Sequence, residues 1–382
     1  MVGNLPKPEI QISAHQVKVF YFCVFMNLST FFYRLSNWET WHHHIKYMPI
    51  APAWVWHCIR AGTPWFFTAS NPTLTFGGFE GEGKKEMYEQ LPPGTYPHTI
   101  YIKPGTSFSK IEKKVAAAGF SYPFIVKPNV GMMGFMFRII SNAEQLKQYH
   151  VAIPIEYLVQ ELIDYPLEVS AFYYRMPNET KGTISGFLKK APPYITGDGV
   201  NTIANLIQEH DGIKLKREEI ISRHQVRLHE ILPAGTIYYL SHASNRSQGG
   251  KLLGIDDEID EGLQQFFDEL SHYSGKFLYG RYDIKCKSIE DLKAGKNFSI
   301  LEFNGAGAGT QHVYANNYSL WQACNIILHH WKMMARISRY NHQQGEKVWG
   351  LKEGWQHLKS AKKNLMMLKR LDATFPTFLQ QF

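Results

Sequence analysis

Between residues 80 and 180 the apolar positions switch repeatedly from helical spacing to short β-rich runs. A helix is predicted from Lys84 to the LPPG of residues 91–94. SFSKIEKKVAAAGF then carries apolar residues three and four apart with Gly119 as its stop. YPFIVKPNVGMMGFMFRII reads as two strands joined by a glycine-containing loop, and SNAEQLKQYHV as a helix behind a Ser or Asn cap. EYLVQELIDYPLEVSAFYYRM returns to strand, and GDGVNTIANLIQEHDG opens on a tight turn with Asn201 or Thr202 placed to cap a helix. Residues 280–309, GRYDIKCKSIEDLKAGKNFSILEFNGAGAG, read as strand, turn-rich interval, strand and glycine-rich run. In LKEGWQHLKSAKKNLMMLKRL, residues Leu351, Trp355, Leu358, Ala361, Leu365, Leu368 and Leu371 recur at steps of three or four. Lys359, Lys362, Lys363, Lys369 and Arg370 fall mainly off that stripe, so the tail is an amphipathic helix.

Residues 1–80 are crowded with aromatics, and Pro and Gly clusters near 49–52, 62–64 and 71–83 predict turns between short elements. The expected organisation is an aromatic-rich lead-in domain at 1–80, a first lobe at 81–175, a second at 176–335 and a helical tail at 336–382. Trp54, Trp56 and Trp65 are expected as core or lobe-interface aromatics. The apolar stretch Val19 to Met26 is too short to span a bilayer, and no secretory leader is read at the N-terminus.

A net charge of +8 and a pI near 9.0 point to an anionic partner. No nucleic-acid module accompanies that charge, so nucleic acid is not the expected partner. Cys23, Cys58, Cys286 and Cys324 are scattered with no CxxC pair, which favours reduced thiols and a cytoplasmic protein. His42, His43 and His44 are adjacent and point in different directions, which fits a polar loop or interface better than a zinc site.

The chemistry concentrates at 280–304. Alternation along a strand puts Arg281 and Asp283 on one face, and Glu302 and Asn304 on one face of theirs. If those faces coincide, two carboxylates and an amide converge, an all-oxygen set suited to magnesium or manganese. Unrelated surface charges on a hairpin are the competing explanation. Magnesium with so few protein ligands needs phosphate oxygens to complete its shell, which calls for a nucleotide site elsewhere. Lys127 ends a strand before a Gly loop, so its ammonium is placed to meet a phosphate covered by the backbone of Gly131 to Gly134. The runs GGFEGEGKK and NRSQGGK offer further anion-binding loops, the latter through Arg246, Gly249, Gly250 and Lys251.

In this order the pieces resemble the ATP-grasp superfamily of ATP-dependent ligases, over roughly residues 80–325. D-alanine–D-alanine ligases and the ligase module of cyanophycin synthetases are the most similar branches. The resemblance implies an α/β (α+β) ATP-grasp fold, two α+β lobes clamping ATP. GRYD and LEFN resemble the superfamily's metal signature, which implies Asp283, Glu302 and Asn304 as Mg2+ (or Mn2+) ligands and Arg281 as the catalytic residue that stabilises an oxyanion. Lys84 and Lys127 resemble its phosphate lysines. VQELIDYPLEVS is similar to the hinge that holds adenine, with Glu161, Leu162 and Ile163 along the base and Glu168 on the ribose. NVGMMG departs from the ligase pattern in its two methionines, and GAGAGTQ lacks the usual proline after Asn304.

The function this implies is ATP- and magnesium-dependent ligation of a carboxylate to an amine or thiol through an acyl phosphate, with ADP and phosphate released. A small-molecule kinase of the same fold and a catalytically silent nucleotide-binding regulator are the alternatives. The substrates are expected to be small-molecule or lipid-linked. The aromatic lead-in and the basic tail either cover the catalytic lobes or hold the protein against the inner face of a membrane.

Overall fold

The computed structural model describes residue 33 and residues 35–214, 216–241 and 249–375. Arg246 and Phe20, Phe22, Phe25, Phe31 and Phe32 of the lead-in lie outside them. Two compact units divide the chain: residues 50–192 with 243–382, and residues 1–49 with 193–242.

The larger unit holds two lobes. In the first, β1 (Thr99–Ile102), β2 (Phe124–Pro128), β3 (Arg138–Ile140) and β4 (Tyr157–Gln160) form an antiparallel sheet in the order β1-β4-β2-β3. Phe124 and Val126 alternate into its core with Ile102, Tyr157 and Val159. Helix Phe108–Ala117 contributes Ile111 and Val115, and helix Ala143–Ala152 contributes Leu146 and Tyr149. Asn142 caps the latter by accepting from Gln145 N at 3.0 Å. The stretch read as one return to strand is in fact two strands, broken at residues 161–166.

In the second lobe β5 (Leu167–Tyr174) and β6 (Thr183–Ala191) precede the excursion into the smaller unit. That unit carries a hairpin of β7 (Tyr194–Thr196) and β8 (Ile237–Tyr239). Its helix Ile203–Glu209 is capped by Thr202, and Ile195, Ile203, Ile207, Ile220 and Leu232 form its own core. After it come β9 (Lys251–Gly254), β10 (Tyr279–Cys286) and β11 (Phe298–Asn304), completing an antiparallel sheet β11-β10-β5-β6-β9. This sheet is buried on both faces. Ala171 and Tyr173 point to helix Glu261–Ser274, while Phe172 and Tyr174 point to helix Leu320–Gln343. Two-sided burial explains why the second half of LEVSAFYY, Ala171 to Tyr174, is an unbroken apolar run.

Much of the lead-in belongs to this second core. Helix Ala51–Ala61 takes Pro52 in its first turn where the sequence predicted a turn, and it ends on Gly62 in the left-handed region. Trp54 meets Phe66 and Trp331 edge-on, and Trp65, Phe67 and Phe76 pack against one another. Trp56, expected among the core aromatics, is instead 57% exposed. The glycine-rich run after Asn304 lies back to back with TFGGF: Ala306 N donates to Gly77 O and Gly307 N to Gly78 O, both at 3.0 Å. A Cβ on Gly307 would fall 2.1 Å from the Phe79 carbonyl oxygen, so this approach requires glycine.

The tail is one helix, Leu351–Thr374. Leu368 is fully buried in the first-lobe core, and Leu358 packs on the second. Its seat at the N-terminal end is Gly354, whose hydrogen faces the Trp65 indole where a Cβ would be 2.3 Å away. Leu351 and Trp355, the first two positions of the predicted stripe, are more than half exposed. Among the described residues no helix is long and apolar enough to cross a membrane.

Candidate active site

β10 and β11 pair with Arg281 opposite Asn304 and Asp283 opposite Glu302. Directly opposed residues of an antiparallel pair share a face, so the four side chains form one ledge. The register slips immediately after Asp283, a bulge that leaves Leu301 unpaired beside Glu302. On the neighbouring strands Ser170 stands opposite Asp283, and Glu168 stands opposite Lys190.

Asp283 is the buried centre of this ledge. Arg281 Nε donates to its Oδ1 at 3.0 Å and Nη2 to Oδ2 at 2.9 Å. Lys190 Nζ lies 3.0 Å from Oδ1, Ser170 Oγ donates to Oδ1, and Asn304 Nδ2 reaches Oδ2 at 3.3 Å. Burial alone would push the carboxyl up, but Arg281 and then Lys190 hold it well below the usual carboxylate range. Glu302 is less enclosed and has one cation partner, Lys84 Nζ at 3.1 Å. For it too burial raises the pKa, and Lys84 and Lys127 together more than offset the effect.

Two lysines face the ledge, Lys127 from the first lobe and Lys84 from a helix whose Met87 and Tyr88 pack in the core of the second. Lys84, at the start of helix Lys84–Tyr88, also donates to Gly131 O at 3.3 Å. Lys127, on β2, has its ammonium pushed down to about 7, first by burial and then by the charge of Lys84. Its Nζ is 3.3 Å from the Tyr88 hydroxyl. That hydroxyl donates to Leu301 O of the second lobe at 2.6 Å and accepts from Gln160 of the first at 3.0 Å. Tyr88 thus bridges a strand of each lobe.

The cleft between them has a volume of about 500 Å³ and is lined by Gly131, Gly134, Lys190, Arg281, Asp283, Glu302 and Asn304 among others. An adjoining cavity of about 250 Å³ adds Lys84, Lys127 and Glu168. The structure therefore gathers Lys84, Lys127, Gly131, Gly134, Glu168, Arg281, Asp283, Glu302 and Asn304 around one space. Glu161, Leu162 and Ile163 lie on the link from β4 to β5 and line neither cavity; the Ile163 carbonyl accepts from Lys285 Nζ at 3.0 Å. Gly249, Gly250 and Lys251 lead into edge strand β9, where Lys251 stands exposed opposite Ala191; they too line neither cavity.

Three contributors were not among the expected site residues. Lys190 is 4% exposed at its side chain and bridges Asp283 to Glu168 at 3.0 and 3.3 Å; only the β5–β6 register puts it there. Glu82 lines the cleft with Oε2 buried and without a partner, and burial raises its pKa. The tail helix closes one wall with Ala361, Asn364, Leu365 and Leu368, and Asn364 Nδ2 donates to Val130 O of the glycine loop at 3.1 Å. Among the described residues no three of His, Cys, Asp and Glu gather to hold a metal ion. The ledge offers two carboxylates and an amide, a set that suits magnesium only with ligand oxygens added.

No family model matches the chain. In fold comparison, D-alanine–D-alanine ligase from Bacillus anthracis gives a TM-score of 0.38 at 14% identity, covering 69% of each chain. In sequence, the chain is 26% identical over 190 residues to the glutathione biosynthesis bifunctional protein of Listeria monocytogenes, covering 44% of this chain and 24% of that one. It is 22% identical over 227 residues to cyanophycin synthetase of Synechocystis, covering 54% and 25%. The chain thus spans about a quarter of the length of the curated relatives it matches. Their sequence similarity accompanies a geometry in which an acid–amide ledge is met by Lys84 and Lys127. In these respects the chain resembles the ATP-grasp ligases.

Proposed function

We propose that the protein joins a carboxylate to an amine with hydrolysis of ATP to ADP and phosphate, by way of an acyl phosphate. The observation that carries this reading is the meeting of Lys84 and Lys127 with the ledge of Asp283, Glu302 and Asn304 across one space. Ammonium groups beside a carboxylate–amide set are what a polyphosphate and its divalent cation require together.

Lys84, Lys127 and the backbone of Gly131 to Gly134 hold the phosphates, and Glu168 reaches the ribose. Asp283, Glu302 and Asn304 are the ligands for magnesium or manganese, which when bound offsets charge on the transferring phosphoryl group. A substrate carboxylate oxygen attacks the γ-phosphorus and the bond to the β-phosphate oxygen breaks, releasing ADP. The amine then attacks the acyl carbon, and the tetrahedral oxyanion faces the Arg281 guanidinium. Collapse forms the C–N bond and expels phosphate, while the amine's proton passes to Glu82, whose free, buried Oε2 suits a base. The acid and the amine are small-molecule or lipid-linked.

With the correct acid present, hydroxylamine should intercept the acyl phosphate as a hydroxamate, with ADP and phosphate formed in equal amounts. AMP with pyrophosphate would refute the route. A phosphorylated product formed one-for-one with ADP, with no acceptor consumed, would establish the kinase alternative, and the absence of any turnover the silent regulator.

Lys127 provides a pH signature. In the free protein its ammonium titrates near 7, against 10.5 for an ordinary lysine, so at pH 8.5 it is largely neutral. Polyphosphate restores its charge, and ATP binding at that pH should take up about one proton. Titration calorimetry in buffers of different ionisation enthalpy measures the uptake. It should fade below pH 7 and vanish in Lys127→Met; uptake unchanged in that variant would remove Lys127 from the phosphate site.

A further inference from the structure

Away from the cleft, helices Ala51–Ala61 and Leu320–Gln343 enclose a second cavity of about 250 Å³. His57 and Arg60 line it from the first helix, Arg339 and His342 from the second, over Phe66 and Val348. Among the described residues no acidic side chain lines it. The charges that act on Arg339 and His57 are the neighbouring arginines: Arg339 is lowered by burial and then by Arg60, and His57 by burial, Arg339 and Arg60 in that order. His342 is oriented by its Nδ1 contact with Glu346 O at 2.9 Å.

Arginines often lay their stems on apolar surface and leave their heads in water, which would account for two of these residues. It does not account for His57. Its Nδ1 is buried and has no hydrogen-bond partner, a state that buried polar atoms seldom keep without a ligand or water. Two guanidinium groups and an imidazole thus line one cavity, the guanidinium groups repelling each other with no carboxylate among the described lining residues to offset them. A doubly charged anion supplies that offset, and paired guanidinium forks match its oxygens.

We propose that this cavity is a binding site for a small phosphate dianion, free or carried on a lipid headgroup. Its volume falls below the roughly 300 Å³ at which pockets for larger organic ligands begin, which suits a headgroup-sized anion rather than a nucleotide. The same helix also turns Val55, Trp56 and Ile59 outward, each more than half exposed beside Arg60. A phosphate at the surface of a bilayer would meet that apolar face; a free phosphate would not use it.

Hydrogen–deuterium exchange of the full-length protein separates these cases, with residues 51–62 and 333–343 followed apart from the cleft loop. Three additions are compared: inorganic phosphate, phosphatidylcholine vesicles, and the same vesicles containing phosphatidic acid. Protection of both helices by inorganic phosphate identifies a free anion. Protection by the phosphatidic acid vesicles alone identifies a lipid phosphate. In either case Arg60→Gln with Arg339→Gln should weaken the effect about tenfold or more, while ATP turnover without added phosphate is unchanged. Arg60→Lys, which keeps the charge, should retain part of the protection and guards against a folding defect in the double variant. No protection of these helices by any addition, or protection undiminished in the double variant, overturns the proposal. Both results are independent of catalysis in the cleft.

Discussion

Glu302→Gln should lower ATP turnover about a thousandfold, since a metal ligand that stabilises the transferring phosphoryl group by about 4 kcal/mol corresponds to three powers of ten in rate. Glu302 is the better choice of the two carboxylates. Its partner Lys84 keeps the Gly131 carbonyl after the change, so the fold has little to lose. Asp283→Asn should be as inactive but less stable, because Arg281 and Lys190 would both face a neutral amide in a buried place. Urea unfolding separates the two effects. Glu302→Gln should unfold near the wild-type midpoint, and its nucleotide binding should respond less to magnesium. More than a tenth of wild-type turnover in that variant would remove Glu302 from the metal site.

The second large effect belongs to the tail helix. Leu368→Ala should destabilise the protein by about 2–5 kcal/mol, because its side chain fills the first-lobe core beside Met136 and Ile140. A chain ending at residue 350 should lose more, together with activity. It lacks Leu368, the Asn364 contact to Val130, and Asp372, which accepts from Met136 N and Arg138 Nη1, each at 2.8 Å. Changing Lys359, Lys362 and Lys363 to glutamine should leave stability within about 0.5 kcal/mol, as all three are exposed. Equal unfolding midpoints for wild type and Leu368→Ala would show that the stripe is not packed. Co-sedimentation of the triple lysine variant with anionic vesicles tests whether those charges also bind membrane.

What the sequence made legible was local. Period-two alternation put Arg281 with Asp283 and Glu302 with Asn304, and one register then decided that the two pairs share a ledge. FIVKP placed Lys127 at the end of a buried strand because a single charge in an apolar run has few places to go. Lys190 was illegible for the opposite reason. It shares the end of β6 with Lys189, and only pairing with Glu168, more than twenty residues earlier, turns it toward Asp283. Glu82 lies in a glycine-rich stretch with no periodicity to orient it. The tail showed that periodicity finds an apolar stripe but not its mate: at the N-terminal end the seat is Gly354 under Trp65, where the absence of a side chain makes the contact.

The burial of Leu368 among residues of the first lobe also bears on the order in which the chain can fold as it is made. The strands of that lobe are complete once residue 160 has left the ribosome, yet its core lacks one buried side chain until Leu368, more than 200 residues later, arrives. During that interval the helices of the lobe cover β2, but the loop that follows it lacks the cover Leu368 supplies, and that contact spans most of the chain, the kind of pairing that forms slowly. The first lobe should therefore be the last to become protease-resistant during synthesis. Nascent chains stalled short of residue 350 should be cleaved readily within residues 99–160, while the helix Glu261–Ser274 and its sheet are already protected; early protection of both lobes would contradict this order.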